Sequence, residues 1–146
     1  MNDLIAYPAE HEQWLLRLAV ASGIGFIIGL EREFAKQREQ AGGEGGYFAG
    51  LRTYTLFGVL GYVSALCAEA WGVWFLGVAL AGFIALVVAS YVFTSRLGDV
   101  GLTSEVTAVL TFLLGALAFH GALLVAVVTG VLVLVLLRFK LALHDF

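Results

Sequence analysis

Charge is scarce in this chain. Asp, Glu, Lys and Arg make up 13% of its 146 residues, about half of the roughly 25% usual in a soluble domain. With 61% hydrophobic residues and a mean hydropathy of +0.96, it holds more apolar side chain than a water-facing globule of this size can hide, because a small domain leaves much of its surface exposed. Lipid is the expected solvent. A single cysteine, Cys67, excludes an intrachain disulfide and is expected to be a small packing residue; no Cys/His spacing matches a metal site. A net charge of −3 provides no basic surface for nucleic acid, so none is expected as a partner. A basic leader is missing too: the residues before the first apolar run are acidic (Asp3, Glu10, Glu12), which argues against a cleaved signal peptide.

What the chain does have is a series of long apolar runs. A bilayer core about 30 Å thick needs roughly 20 apolar helical residues. That ruler gives five spans, at about 14–30, 51–68, 71–93, 102–119 and 122–137, with a polar loop at 31–50. The runs are continuous rather than alternating, which suits helices, since lipid demands that backbone groups pair internally. Glu69 and Ala70 separate spans two and three, and His120 and Gly121 separate spans four and five; each pair reads as a tight antiparallel hairpin. The expected fold is an all-α integral membrane protein, a compact bundle of five transmembrane helices forming one domain over 1–146.

Direction follows from the basic residues. Arg32, Lys36, Arg38 and Arg52 follow span one, Arg96 follows span three, and Arg138 and Lys140 follow span five; these are seven of the eight Lys and Arg. The positive-inside rule puts the N-terminus outside and the C-terminus in the cytoplasm. Trp14, Trp71 and Trp74 then fall at the outer interface, where indoles are favoured. Arg17, the exception, is expected to snorkel outward toward Glu10 or Glu12.

Lipid gives helices little hydrophobic reason to associate, so close backbone approach and buried polar contacts must hold a bundle together. Small residues recur every four positions: Ala21, Gly25 and Gly29; Gly77, Ala81, Ala85 and Ala89; Thr107, Thr111 and Gly115; Ala122, Ala126 and Gly130. Gly25 and Gly29 form a GxxxG. The stripes predict helix packing, and a homo-oligomer, with a dimer favoured.

The charge that exists is concentrated. The stretch "GLEREFAKQREQAGGEGGYFAGLRTYTL" (29–56) holds eight of the nineteen charged residues. On this topology Glu31, Arg52 and Glu105 share one depth at the cytoplasmic side, and ionisable groups inside a membrane protein face the interior or a partner. The expected arrangement is a cluster in which Arg52 bridges Glu31 and Glu105, with hydroxyl contacts from Thr53, Thr55, Thr103 and Ser104; Arg52→Ala would then cost on the order of 3 kcal/mol. The bland readings stand beside it. Arg52 snorkels to headgroups, Glu105 answers a helix dipole with Thr103 as N-cap, and Glu31 is merely the first solvated residue. "EREFAKQREQ" has the composition to prolong span one until Gly42 and Gly43 stop it. "GGEGG" lacks the GK[ST] of a phosphate loop and reads as a tether. Asp99 reads as turn chemistry and His120 as a solvated turn residue.

The segments "GLERE" (29–33), "AGLRTYTLFGVLG" (49–61) and "GLTSEVTAVLTFLLGAL" (101–117) resemble the MgtC/SapB family of bacterial inner-membrane proteins, from about residue 15 to 140. The resemblance implies that Glu31, Arg32, Glu33, Gly50, Arg52 and Thr53 are signature residues, with Glu105 added from one branch. It also implies a role in magnesium or membrane-energy homeostasis. Relatives are associated with growth in low magnesium and with survival inside host cells, and some with restraint of the F-type ATP synthase. Many relatives continue into a soluble C-terminal domain or a second membrane domain, whereas this sequence stops nine residues after span five, so functions that need such an appendage are not carried over.

Two functional classes follow. The first is a non-enzymatic inner-membrane protein that binds a lipid or a membrane-protein partner through the cluster of Glu31, Arg32, Glu33, Arg52, Thr53 and Glu105. Its helices would be packed at Gly25, Gly29, Gly50 and Gly115, and it would need no cofactor. The second is a small oligomeric transporter or channel in which Glu31 and Glu105 hold a proton or a cation such as magnesium. An intramembrane enzyme is disfavoured, since no nucleophile–base pair or nucleotide motif is present.

Overall fold

The computed structural model describes residues 8–40, 50–96 and 102–144. They form five helices: α1 (Pro8–Gln40), α2 (Leu51–Trp71), α3 (Val73–Arg96), α4 (Thr103–Phe119) and α5 (Leu123–His144). The 33 residues of α1 rise about 50 Å, well beyond a bilayer core. The helix is mostly apolar from Trp14 to Leu30 and polar from Glu31 onward, so the "EREFAKQREQ" segment does prolong the first run. Glu12–Arg38 within α1, all of α2 and all of α3 are long and apolar enough to cross a membrane; α4 and the Leu123–Phe139 part of α5 are apolar but shorter. The glycine-rich stretch 42–46 and Asp99 lie outside the described residues.

Helices α1, α2 and α4 form the centre, with α3 flanking α2 and α4, and α5 flanking α1 and α4. Glycine makes the central contacts so close. A Cβ at Gly25 would strike the Tyr54 carbonyl, one at Gly29 would come within 2.9 Å of the Leu51 backbone, and one at Gly58 would lie 2.5 Å from the Ala21 carbonyl. Across the α2–α4 crossing, a Cβ at Gly61 would run into the Phe112 carbonyl and one at Gly115 into the Gly58 carbonyl. Packing of this kind replaces the hydrophobic drive that lipid does not supply. Gly25, Gly29 and Gly115, expected at helix contacts, each lie against the backbone of a neighbouring helix. Gly50 is buried at the start of α2.

The third-span stripe behaves differently. Gly77, Ala81, Ala85 and Ala89 are exposed, and a Cβ at Gly77 or Gly82 would meet open space. Phe83 and Val87 are the buried residues of α3. Phe83 joins a run of rings across three helices: Phe57–Phe83 and Phe83–Phe112 at 4.9 Å between centroids, and Tyr54–Phe57 at 5.4 Å. Three bulky rings outcompete a glycine stripe for the bundle interior, since a ring stack fills more space and adds its own attraction.

The hairpin turns are set by backbone geometry. The break between α2 and α3 comes at Gly72 (φ +110°), later than the expected Glu69-Ala70, and that between α4 and α5 involves Gly121 (φ +85°). Positive φ is cheap for glycine; Glu69 and Ala70 have no such advantage and remain helical. Arg17 also departs from expectation. Its Nη1 donates to the Phe119 carbonyl at 3.0 Å, placing a cation at the C-terminus of α4, where the helix dipole favours one. Nearby, the Tyr62 hydroxyl donates to the Trp14 carbonyl at 2.8 Å, and exposed His120 packs its ring edgewise on Phe119.

Candidate functional site: the charged end of the bundle

Three consecutive residues of α1 organise the charged end. Successive helical side chains are rotated by about 100°, so Glu31, Arg32 and Glu33 point in three directions, and each finds a different helix. Glu31 reaches α5, where its Oε2 lies 3.6 Å from Arg138 Nε. Arg32 reaches α4, its Nη2 donating to Ser104 Oγ. Glu33 reaches α2, its Oε2 accepting the Leu51 backbone N–H at 3.1 Å. The last contact has a clear physical reason. Gly50 precedes α2 without a side chain to cap it, and helix starts leave backbone donors unsatisfied. Glu33 caps α2 from the neighbouring helix, with a charge matched to the dipole.

Tyr54 closes the centre. Fully buried, it donates its hydroxyl to the Ser104 carbonyl at 2.9 Å, and the phenol sits beside both the Arg32 guanidinium and the Glu105 carboxylate. Glu105 is 6% exposed in the first turn of α4. Leu102, not Thr103, takes the N-cap position, with no side-chain cap; the uncapped turn favours a negative charge there. Three buried polar atoms at this end have no hydrogen-bond partner among the described residues: Glu31 Oε1, Arg32 Nε and Glu105 Oε2.

Arg52 is not part of this arrangement. It is exposed, and no hydrogen bond or ion pair from it is found among the described residues. Residues 54, 57, 58, 61, 62 and 65 form the inner face of α2, while Arg52 heads the outer stripe that continues through Leu56, Leu60 and Val63. The bridge expected between Glu31 and Glu105 therefore does not form, because position 52 lies on the wrong side of its helix; the inward arginine is Arg32, which bonds Ser104 and, like Glu105, sits beside the Tyr54 phenol. Of the hydroxyls, Ser104 joins the cluster. Thr55 bonds back to the Leu51 carbonyl within its own helix at 2.8 Å, and Thr53 is half-buried. Tyr54 and Arg138 were not singled out from the sequence. Tyr54 lies three residues after Leu51, one turn along the face that Gly58 and Gly61 continue, and Arg138 falls at the depth that the basic-residue count assigns to Glu31.

Among the described residues, no three His, Cys, Asp or Glu side chains are grouped to hold a metal ion. No curated protein and no solved structure matches the chain. The family model that matches covers residues 18–146, and so takes in the whole of the Glu31-Arg32-Glu33 cluster with Tyr54, Ser104 and Glu105: the chain belongs to the MgtC family.

Proposed function

We infer that this MgtC-family chain is a multi-pass protein of the bacterial inner membrane that influences magnesium or membrane-energy homeostasis by binding, not by catalysis. All five helices span the bilayer, with the N-terminus outside and the charged end in the cytoplasm, and the chain works as a homodimer. Binding takes place at the charged end, through a lipid or a membrane-protein partner. The observation that carries this reading is the use of Glu31, Arg32 and Glu33 to tie α5, α4 and α2 to one helix. A fixed polar platform at one end suits recognition, whereas turnover needs a group placed to react.

A second reading, a small proton or cation transporter, draws on one observation: Glu105 Oε2 and Glu31 Oε1 are buried without hydrogen-bond partners among the described residues, and buried carboxylates in membrane proteins mark ion and proton paths. Reconstituted liposomes separate the two. Binding predicts no magnesium, sodium or proton flux above empty vesicles, together with co-purification of a membrane complex. Flux that Glu105→Gln abolishes would replace the first reading with the second.

A further inference from the structure

A groove runs between α1 and α5 and ends at the charged pair. Its apolar part has a volume of about 240 Å³ and is lined by Val20, Gly23, Gly130 and Val131 among others. Its charged end, of about 460 Å³, is bounded by Glu31 and Arg138. Ile27 and Leu134 line both parts, so the two adjoin. Gly23 deepens the floor, since a Cβ there would meet nothing within 4 Å.

The dimensions select an occupant. From Val20 to Glu31 is eleven residues of helix, about 16 Å, close to one leaflet of a hydrocarbon core roughly 30 Å thick. A second helix, about 10 Å across, has over this length several times the roughly 240 Å³ of the apolar part, and would only cover it. An acyl chain fits lengthwise. At the charged end, 3.6 Å between Arg138 Nε and Glu31 Oε2 gives attraction without a hydrogen bond. Arg138 is 64% exposed and keeps its guanidinium donors for a phosphate. Glu31 Oε1 is buried and has no hydrogen-bond partner among the described residues, while Oε2 lies beside Arg138; rotation about the broad terminal torsion exchanges the two, so the outer oxygen can take a donor. A cation and an anion side by side match a headgroup that carries both charges.

We propose that the α1–α5 groove binds one phospholipid with an ethanolamine headgroup, its acyl chain along Gly23 and Gly130, its phosphate on Arg138 and its ammonium on Glu31. This deepens the proposed function by naming the lipid, and rests on that reading for the charged end lying at headgroup depth. Ethanolamine is preferred over choline because its N–H groups donate to Glu31, and over glycerol because only the former brings a positive charge.

The test titrates purified protein in mild detergent with palmitoyl-oleoyl phosphatidylethanolamine, phosphatidylcholine and phosphatidylglycerol, reading bound lipid by native mass spectrometry. One ethanolamine lipid per chain is expected, bound at least tenfold more tightly than the other two. Gly23→Leu puts a side chain into the groove at a position where a Cβ has room, and should abolish binding while the protein keeps its melting temperature. Arg138→Gln should weaken it about tenfold. Equal binding of all three lipids, preference for phosphatidylglycerol, unchanged binding by Gly23→Leu, or cross-linking of a second copy across the groove would each overturn the proposal. Liposome flux and co-purification do not read this groove, so failure here is distinct from failure of the proposed function.

Discussion

At the scale of single residues, two arginines of similar sequence context have opposite roles. Arg32 faces inward to Ser104 and lies beside Tyr54, while Arg52 stands at the head of an exposed stripe. Removing an inward partner leaves buried polar groups unsatisfied, at roughly 1–3 kcal/mol. An outward arginine that snorkels loses little when truncated. Arg32→Ala should therefore destabilise the protein by about 2 kcal/mol in detergent thermal unfolding, and Arg52→Ala should stay within about 0.5 kcal/mol of wild type. A larger loss from Arg52 than from Arg32 would reverse the assignment. The sequence located this cluster at one end of the bundle, and Glu31 and Glu105 are both in it. It did not distinguish the arginines, because a charge on a helix has no inner or outer face until the helix has neighbours.

At the scale of elements, the helices are sorted by where their glycines sit. Gly61 and Gly115 let α2 and α4 touch backbone to backbone, whereas Gly77 and Gly82 of α3 face open space. Alanine at an open helical site gains up to about 1 kcal/mol of propensity over glycine. Alanine against a backbone carbonyl forces the helices apart, at roughly 1–3 kcal/mol or more. Gly61→Ala should thus lower the melting temperature clearly, while Gly82→Ala leaves it unchanged or raises it. The same spacing rule flagged both the α1 and the α3 stripes. Spacing records that close approach is allowed; only the competing Phe57–Phe83–Phe112 rings decide that α3 approaches by another face.

At the scale of the whole molecule, a tight trio of α1, α2 and α4 carries two looser flanking helices. The buried polar contacts tie the trio together, through Glu33 to α2, Arg32 to α4 and Tyr54 to α4. By contrast α3 hangs on Phe83 and Val87. Each ring pair that Phe83 makes is worth roughly 0.5–1.5 kcal/mol. Phe83→Ala should speed amide hydrogen exchange across α3 and leave the trio protected; acceleration spread evenly over all five helices would show a single cooperative unit instead.

The sequence alone determined that the chain is helical and suited to lipid, where its apolar runs begin and end to within a few residues, and which end holds the charge. Those properties follow from local composition and period, which need no knowledge of neighbours. Only the tertiary structure decided that Glu31, Arg32 and Glu33 divide among α5, α4 and α2, that Arg52 turns outward, and that α1 and α5 leave a groove between them. Each depends on the rotation of one helix about its axis relative to another. For α1, α2 and α4 that rotation is fixed by backbone contacts at Gly25, Gly58, Gly61 and Gly115, where the packing partner is far away along the chain.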